Sequence, residues 1–284
     1  MKRFATAHPL IFVIVVLLGW LVASLLGALA SGALLGTGLA NGLAQSLGTL
    51  SATALLLLLA QRLGWLPCLG LTRPGSRRIW GLTLLLFLYF YVAYRYAFFG
   101  TLTADLGFLI RSPDTYTLFA RQMVVGFVEE TLFRGVLLYA LVRVWGTSRR
   151  GLLAATTLPA LLFGSLHILQ LTDGNTLPAT LLTIVLAACS GIWMGALVLR
   201  GGSLWPAVLI HAWSNMVANI GALAVPDYVP PTGAFVAAAL LELPLMLLGA
   251  WWLLRRPLPS VPQPPPIPSG ALSETAVRVE GVGG

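Results

Sequence analysis

The sequence predicts an all-α polytopic membrane protein, a bundle of about eight transmembrane helices around an intramembrane polar cavity. Three observations carry that prediction. Hydrophobic residues make up 58% and charged residues 9% of the 284, whereas soluble domains run at about 45–50% apolar and about 25% charged. Apolar stretches of about 20 residues, the length a helix needs to cross hydrocarbon, follow one another along the chain. The charges between those stretches change character from one loop to the next.

The stretches fall at residues 9–30, 43–61, 79–99, 117–142, 152–171, 178–199, 204–224 and 232–254. The first follows Lys2 and Arg3. It runs well past the roughly 7–15 apolar residues of a secretory signal, so it is expected to remain as a span. Arg62, Arg73, Arg77 and Arg78 follow the second stretch, Arg143, Arg149 and Arg150 the fourth, Arg200 the sixth, and Arg255 and Arg256 the eighth. The intervening loops hold Asp105, Arg111, Asp114, Asp173 and Asp227. Basic loops stay on the cytoplasmic side, so this alternation places both termini there. Residues 1–256 read as one membrane domain. Residues 257–284, opening Pro-Leu-Pro-Ser-Val-Pro-Gln-Pro-Pro-Pro-Ile-Pro, read as a disordered cytoplasmic tail, because such a composition favours extended polyproline conformations and builds no core.

The net charge of +8 does not indicate a nucleic-acid partner, because the basic residues are scattered between apolar runs in the positive-inside pattern. The partner is the lipid bilayer. Cys68 and Cys189, one in a loop and one within a span, support neither a disulfide framework nor a cysteine metal site. The sequence carries no signal for oligomeric state.

Within the fourth stretch the chain reads Glu129-Glu130-Thr131-Leu132-Phe133-Arg134. A charge at bilayer depth costs about 2.5–3.5 kcal/mol on insertion scales, so such acids are functional candidates by default. On a helix Glu130 and Arg134 share a face and can pair, while Glu129 points about 100° away, over Phe133. The fifth stretch carries Phe163 and His167 one turn apart, and the seventh carries His211 and Asn215 at the same spacing. Carboxylate and imidazole suit zinc, and three protein ligands plus a water make an open catalytic site. The local His-Glu-x-x-His motif is absent. A site would therefore have to be assembled between spans, from Glu129, His167 and His211. At about 1.5 Å per residue Glu129 lies about 20 Å from the cytoplasmic end of its span, His167 about 22 Å and His211 only about 10 Å. A tilt, a kink at Pro159 or a re-entrant start to the fifth span would be needed to level them.

These residues resemble the motifs of the CAAX prenyl protease and bacteriocin-processing (Abi) family of intramembrane metalloproteases. That pattern is Glu-Glu-x-x-x-Arg, then Phe-x-x-x-His, then His-x-x-x-Asn or Asp. Glu129, Glu130 and Arg134 match the first, Phe163 and His167 the second, and His211 and Asn215 the third. Each motif alone is unspecific; all three in order, on separate spans, are specific, and the resemblance covers residues 80–225. It implies an endopeptidase cutting a membrane-associated peptide or lipidated protein, such as a prenylated CAAX substrate. It also implies roles. Glu129 and His167 activate water, His211 and Asn215 stabilise the oxyanion or hold the water, and Glu130, Arg134 and Phe163 support them. The cofactor stays open between zinc held by Glu129, His167 and His211 and a metal-independent glutamate mechanism. The implied location is a bacterial cell membrane. Read from the residues alone, an ion- or proton-coupled transporter, or a non-catalytic scaffold or immunity protein of the same fold, are the alternatives.

Overall fold

A computed structural model describes residues 1–38, 41–99, 111–219 and 232–255. Asp105, Asp227, Arg256 and the Pro-rich tail at 257–284 lie outside these residues. Among the described residues every regular element is helical, and there is no strand. We number the helices α1 (Lys2–Ala7), α2 (Pro9–Leu35), α3 (Gly42–Arg62), α4 (Arg77–Phe99), α5 (Pro113–Glu130), α6 (Leu138–Trp145), α7 (Arg149–Leu166), α8 (Leu177–Gly201), α9 (Trp205–Asn219) and α10 (Thr232–Leu254). A π-helical segment, Thr131–Leu137, joins α5 to α6, and a 3-10 turn, His167–Asp173, extends α7.

Helical segments lie along the expected spans among the described residues; residues 220–224 of the seventh lie outside them. Among the described residues four helices are by themselves long and apolar enough to cross a membrane: α2, α3, α7 with its extension to Thr172, and α8. The boundaries have local causes. Pro9 opens α2, where its missing N–H costs no hydrogen bond, and Gly36 closes it with a left-handed φ of 64°. The Asn41 side chain caps α3 by accepting from the Leu43 and Ala44 amides at 2.9 and 3.3 Å. Ser148 caps α7 by accepting from the Gly151 amide at 3.0 Å.

The helix pairs α2–α3 and α7–α8 pack side by side, α8 also packs on α10, and α9 lies against α5 and α4. Their common centre is the π segment with the first turns of α6, where Thr131 through Val142 are buried without interruption. Such all-round burial explains why this stretch reads as apolar on every face.

The basic loops gather at one end of the bundle. Arg143 donates from Nη2 to the Thr6 hydroxyl at 3.3 Å and stands over the Trp65 ring at 4.9 Å. Arg200 donates to the Leu253 carbonyl, at the end of α10. Arg255 covers Trp251 and Trp252, both half exposed, as expected of an aromatic belt.

The loop after α3 folds inward at this end. Trp65 and Leu69 are buried, and the Gly70 carbonyl accepts from the Leu204 amide at 3.0 Å. The Trp205 indole nitrogen donates to the Leu71 carbonyl at 2.8 Å. The α8–α9 turn is thus covered by protein, and Leu204 is wholly buried. It lies beside Gly135, where an added Cβ would come within 3.9 Å of the Leu204 side chain. Helix α9 therefore begins level with the π segment rather than with the end of α6. This inset start brings His211 level with Glu129, where counting residues from each span's end had left them about 10 Å apart.

Close approach of α9 to α5 needs a glycine. A Cβ on Gly126 would stand 2.8 Å from the Val208 carbonyl oxygen and 3.2 Å from the Ala212 nitrogen. Backbone-to-backbone packing of this kind is how helices associate where the surrounding lipid supplies no hydrophobic drive.

Candidate active site

Glu130 ends α5, wholly buried, and its Oε1 carries two interactions. Arg134 Nη1 donates to it at 3.0 Å, the i,i+4 pair expected from the spacing. His211 Nδ1 donates to the same oxygen at 2.8 Å, from α9. The other face of that imidazole meets the neighbouring acid: His211 Nε2 lies 3.4 Å from Glu129 Oε2. One histidine therefore bridges two consecutive carboxylates, which diverge along the helix and close around a ring from another helix.

The two acids differ in setting. Glu130 and Arg134 are sealed inside, whereas the Glu129 side chain keeps 31% of its surface exposed. Glu129 is thus the acid that a water or a substrate can reach. Arg134 makes one hydrogen bond to Glu130 rather than a bidentate fork, and its Nη2 and Glu130 Oε2 have no partner among the described residues. The guanidinium offsets this by lying over Phe163, 4.4 Å from the ring centroid, an attraction of about 2 kcal/mol where water is excluded.

Phe163 also packs edge-on against Phe133, His167 and His211, with centroids 5.1, 5.1 and 5.7 Å apart. It is the apolar hub that holds both histidines. His167 starts the 3-10 turn, and its Nδ1 donates to the Phe163 carbonyl at 3.1 Å. In the neutral ring this fixes Nε2 as the bare nitrogen.

Asn215 stands one turn beyond His211 on α9. Its carbonyl accepts from the Asn219 side chain at 2.7 Å. The Glu129, Glu130, Arg134, Phe163 and His211 side chains come together directly. His167 joins them through Phe163, and Asn215 is linked to them only along the α9 backbone.

Of the zinc set expected from Glu129, His167 and His211, Glu129 and His211 meet at 3.4 Å and His167 reaches them through Phe163. Among the described residues no three histidine, cysteine, aspartate or glutamate side chains converge on one point. Each histidine spends Nδ1 on a protein acceptor, Glu130 for His211 and the Phe163 carbonyl for His167, and keeps Nε2 for the site. An open zinc site needs three ligands around one ion, so the residues as placed do not fit it, and no step below runs through a metal.

Three features of the site were not read from the sequence. The Glu130–His211 bond joins positions 81 residues apart, and no local spacing announces it. The π segment starts immediately after the two acids, a setting where such wide turns recur in functional sites. Gly191 on α8 faces the guanidinium: a Cβ there would stand 2.8 Å from Arg134 Nη2 and 2.8 Å from the Ala160 Cβ. Gly191→Ala is expected to cost about 1–3 kcal/mol by overpacking, read as a lower thermal midpoint in detergent. An unchanged midpoint would show that α8 can give way and that Arg134 is not clamped there.

Residues 111–217 match the model of a protein family described as type II CAAX prenyl endopeptidase, Rce1-like. The matched stretch contains Glu129, Glu130, Arg134, Phe163, His167, His211 and Asn215. No curated protein and no solved structure matches the chain.

Proposed function

We propose that Glu129 drives peptide-bond hydrolysis inside the bundle, a reading supported by the match of residues 111–217 to the type II CAAX prenyl endopeptidase, Rce1-like, family. The observation that carries this reading is the Glu130–His211–Glu129 chain, a hydrogen bond of 2.8 Å and a contact of 3.4 Å, in which Glu129 is the member open to the outside.

In this reading Glu129 takes a proton from a water poised beside it, and the hydroxide attacks the scissile carbonyl. The bare Nε2 of His167 accepts a hydrogen bond from the same water. His211, in its doubly protonated form, donates from Nε2 to the oxygen that becomes the oxyanion, and the Asn215 amide is the second donor. Glu129 then returns the proton to the departing amine. Glu130 positions His211 without touching substrate, and Arg134 and Phe163 hold Glu130 and the two rings. The substrate is a membrane-associated peptide or protein, prenylated CAAX types included. It is reached from the cytoplasmic face of a bacterial cell membrane, where the Lys2, Arg62, Arg143, Arg200 and Arg255 end of the bundle and both termini belong by the positive-inside rule.

The test is cleavage of a quenched-fluorescence peptide set, with and without farnesylated CAAX termini, by the purified full chain. Cleavage that survives a zinc chelator is the expected result. Loss of cleavage on chelation, restored by zinc, would overturn the glutamate-only mechanism, and no cleavage of any peptide by folded protein would overturn the peptidase assignment.

A further inference from the structure

Glu242 takes no part in the site above. It lies midway along α10, 3% exposed, and its Oε1 has no hydrogen-bond partner among the described residues. The carboxyl lines a cavity of about 30 Å³ with Leu86 and Tyr89 of α4, Trp193 of α8, and Leu245 and Met246 of its own helix. Trp193 and Met246 are buried, while Leu245 is 50% exposed, so the cavity reaches the apolar outer surface between α4 and α10.

A bare carboxyl oxygen in an apolar setting is costly unless something donates to it. The walls restrict what that donor is. Apart from the carboxyl they are aliphatic and aromatic, which favours a molecule already dissolved in lipid. The faces of tryptophan and tyrosine rings attract cations more than neutral donors, and no basic side chain is among the lining residues to repel one. A cavity of about 30 Å³ has room for one or two water-sized groups, so it admits an ammonium head group with its chain outside.

We propose that this cavity binds a lipophilic primary amine. Its ammonium donates to Glu242 Oε1 beside Tyr89 and Trp193, and its alkyl chain passes Leu86 and Leu245 into the surrounding lipid. The site lies on the far side of α8 from Arg134 and is separate from the proposed peptidase chemistry.

The experiment uses the full chain in phosphatidylcholine nanodiscs, titrated with dodecylamine, with dodecanol as the neutral probe of equal chain length. The expected result is a saturable rise in thermal midpoint with dodecylamine and none with dodecanol. Glu242→Gln keeps the shape but loses a charge-assisted bond, and should weaken the response roughly tenfold or more. Leu245→Trp, at the outer edge, should block it without touching the acid, and decides the matter if Glu242→Gln does not fold. Equal responses to amine and alcohol, or a dodecylamine response unchanged in either folded variant, would overturn the proposal. Peptide cleavage by Glu242→Gln at the wild-type rate is expected, which separates this site from the other.

Discussion

Glu129→Gln is expected to slow peptide cleavage by about 10²–10⁴-fold, the span of general acid–base contributions, while the protein stays folded. The reason for separating these effects is in its surroundings. Among the described residues the Glu129 carboxylate meets one ion-pair partner, His211 Nε2 at 3.4 Å, and its side chain is 31% exposed. Replacing a carboxylate by an isosteric amide there removes a proton acceptor without creating a cavity or an unpaired buried charge. Glu129→Asp makes a finer test. It keeps the charge but draws the carboxylate back towards the backbone, and a misplacement of about 1 Å can cost about 10²-fold. Activity should therefore rank wild type, then Asp, then Gln, with circular dichroism and thermal midpoint alike in all three. Wild-type turnover by Glu129→Gln would remove Glu129 as the base and leave His167 as the next candidate.

Where the sequence informed the fold, it did so through one-dimensional signals. Among the described residues helices lie along the expected spans because about 20 apolar residues between charged loops admit little else in lipid. The Glu130–Arg134 pair was legible because i,i+4 neighbours on a helix meet regardless of what surrounds them. What stayed hidden depends on three-dimensional depth. Counting from span ends put His211 well short of Glu129, since nothing in the sequence says that the Leu63–Leu71 segment folds inward and that α9 starts beside Gly135. Glu129, expected to lack a partner, gains one for that same reason. How His167 is held beside Glu129 and His211 is a detail of the same kind. A backbone carbonyl at Phe163 turns the His167 ring, and no spacing rule encodes that.

The largest effect on stability should come from Glu130→Ala, at about 3–5 kcal/mol, because it leaves the buried Arg134 uncompensated. Activity should vanish with it, but that loss alone does not separate a structural role from positioning. The double variant Glu130→Leu with Arg134→Leu does. Replacing both members of a buried ion pair with apolar residues of similar volume is often neutral or stabilising, so the thermal midpoint should recover most of what the single variant loses. Activity should not recover. His211 would still sit on α9 against Phe163, but its Nδ1 would have no acceptor, and the ring could turn about its last torsion and carry Nε2 away from Glu129. Cleavage by the double variant should then fall chiefly in kcat, with KM little changed, because the lost interaction orients a group needed in the transition state rather than one that binds the ground state. A double variant that is stable and fully active would reduce Glu130 to a packing partner of Arg134 and leave His211 held by Phe163 alone.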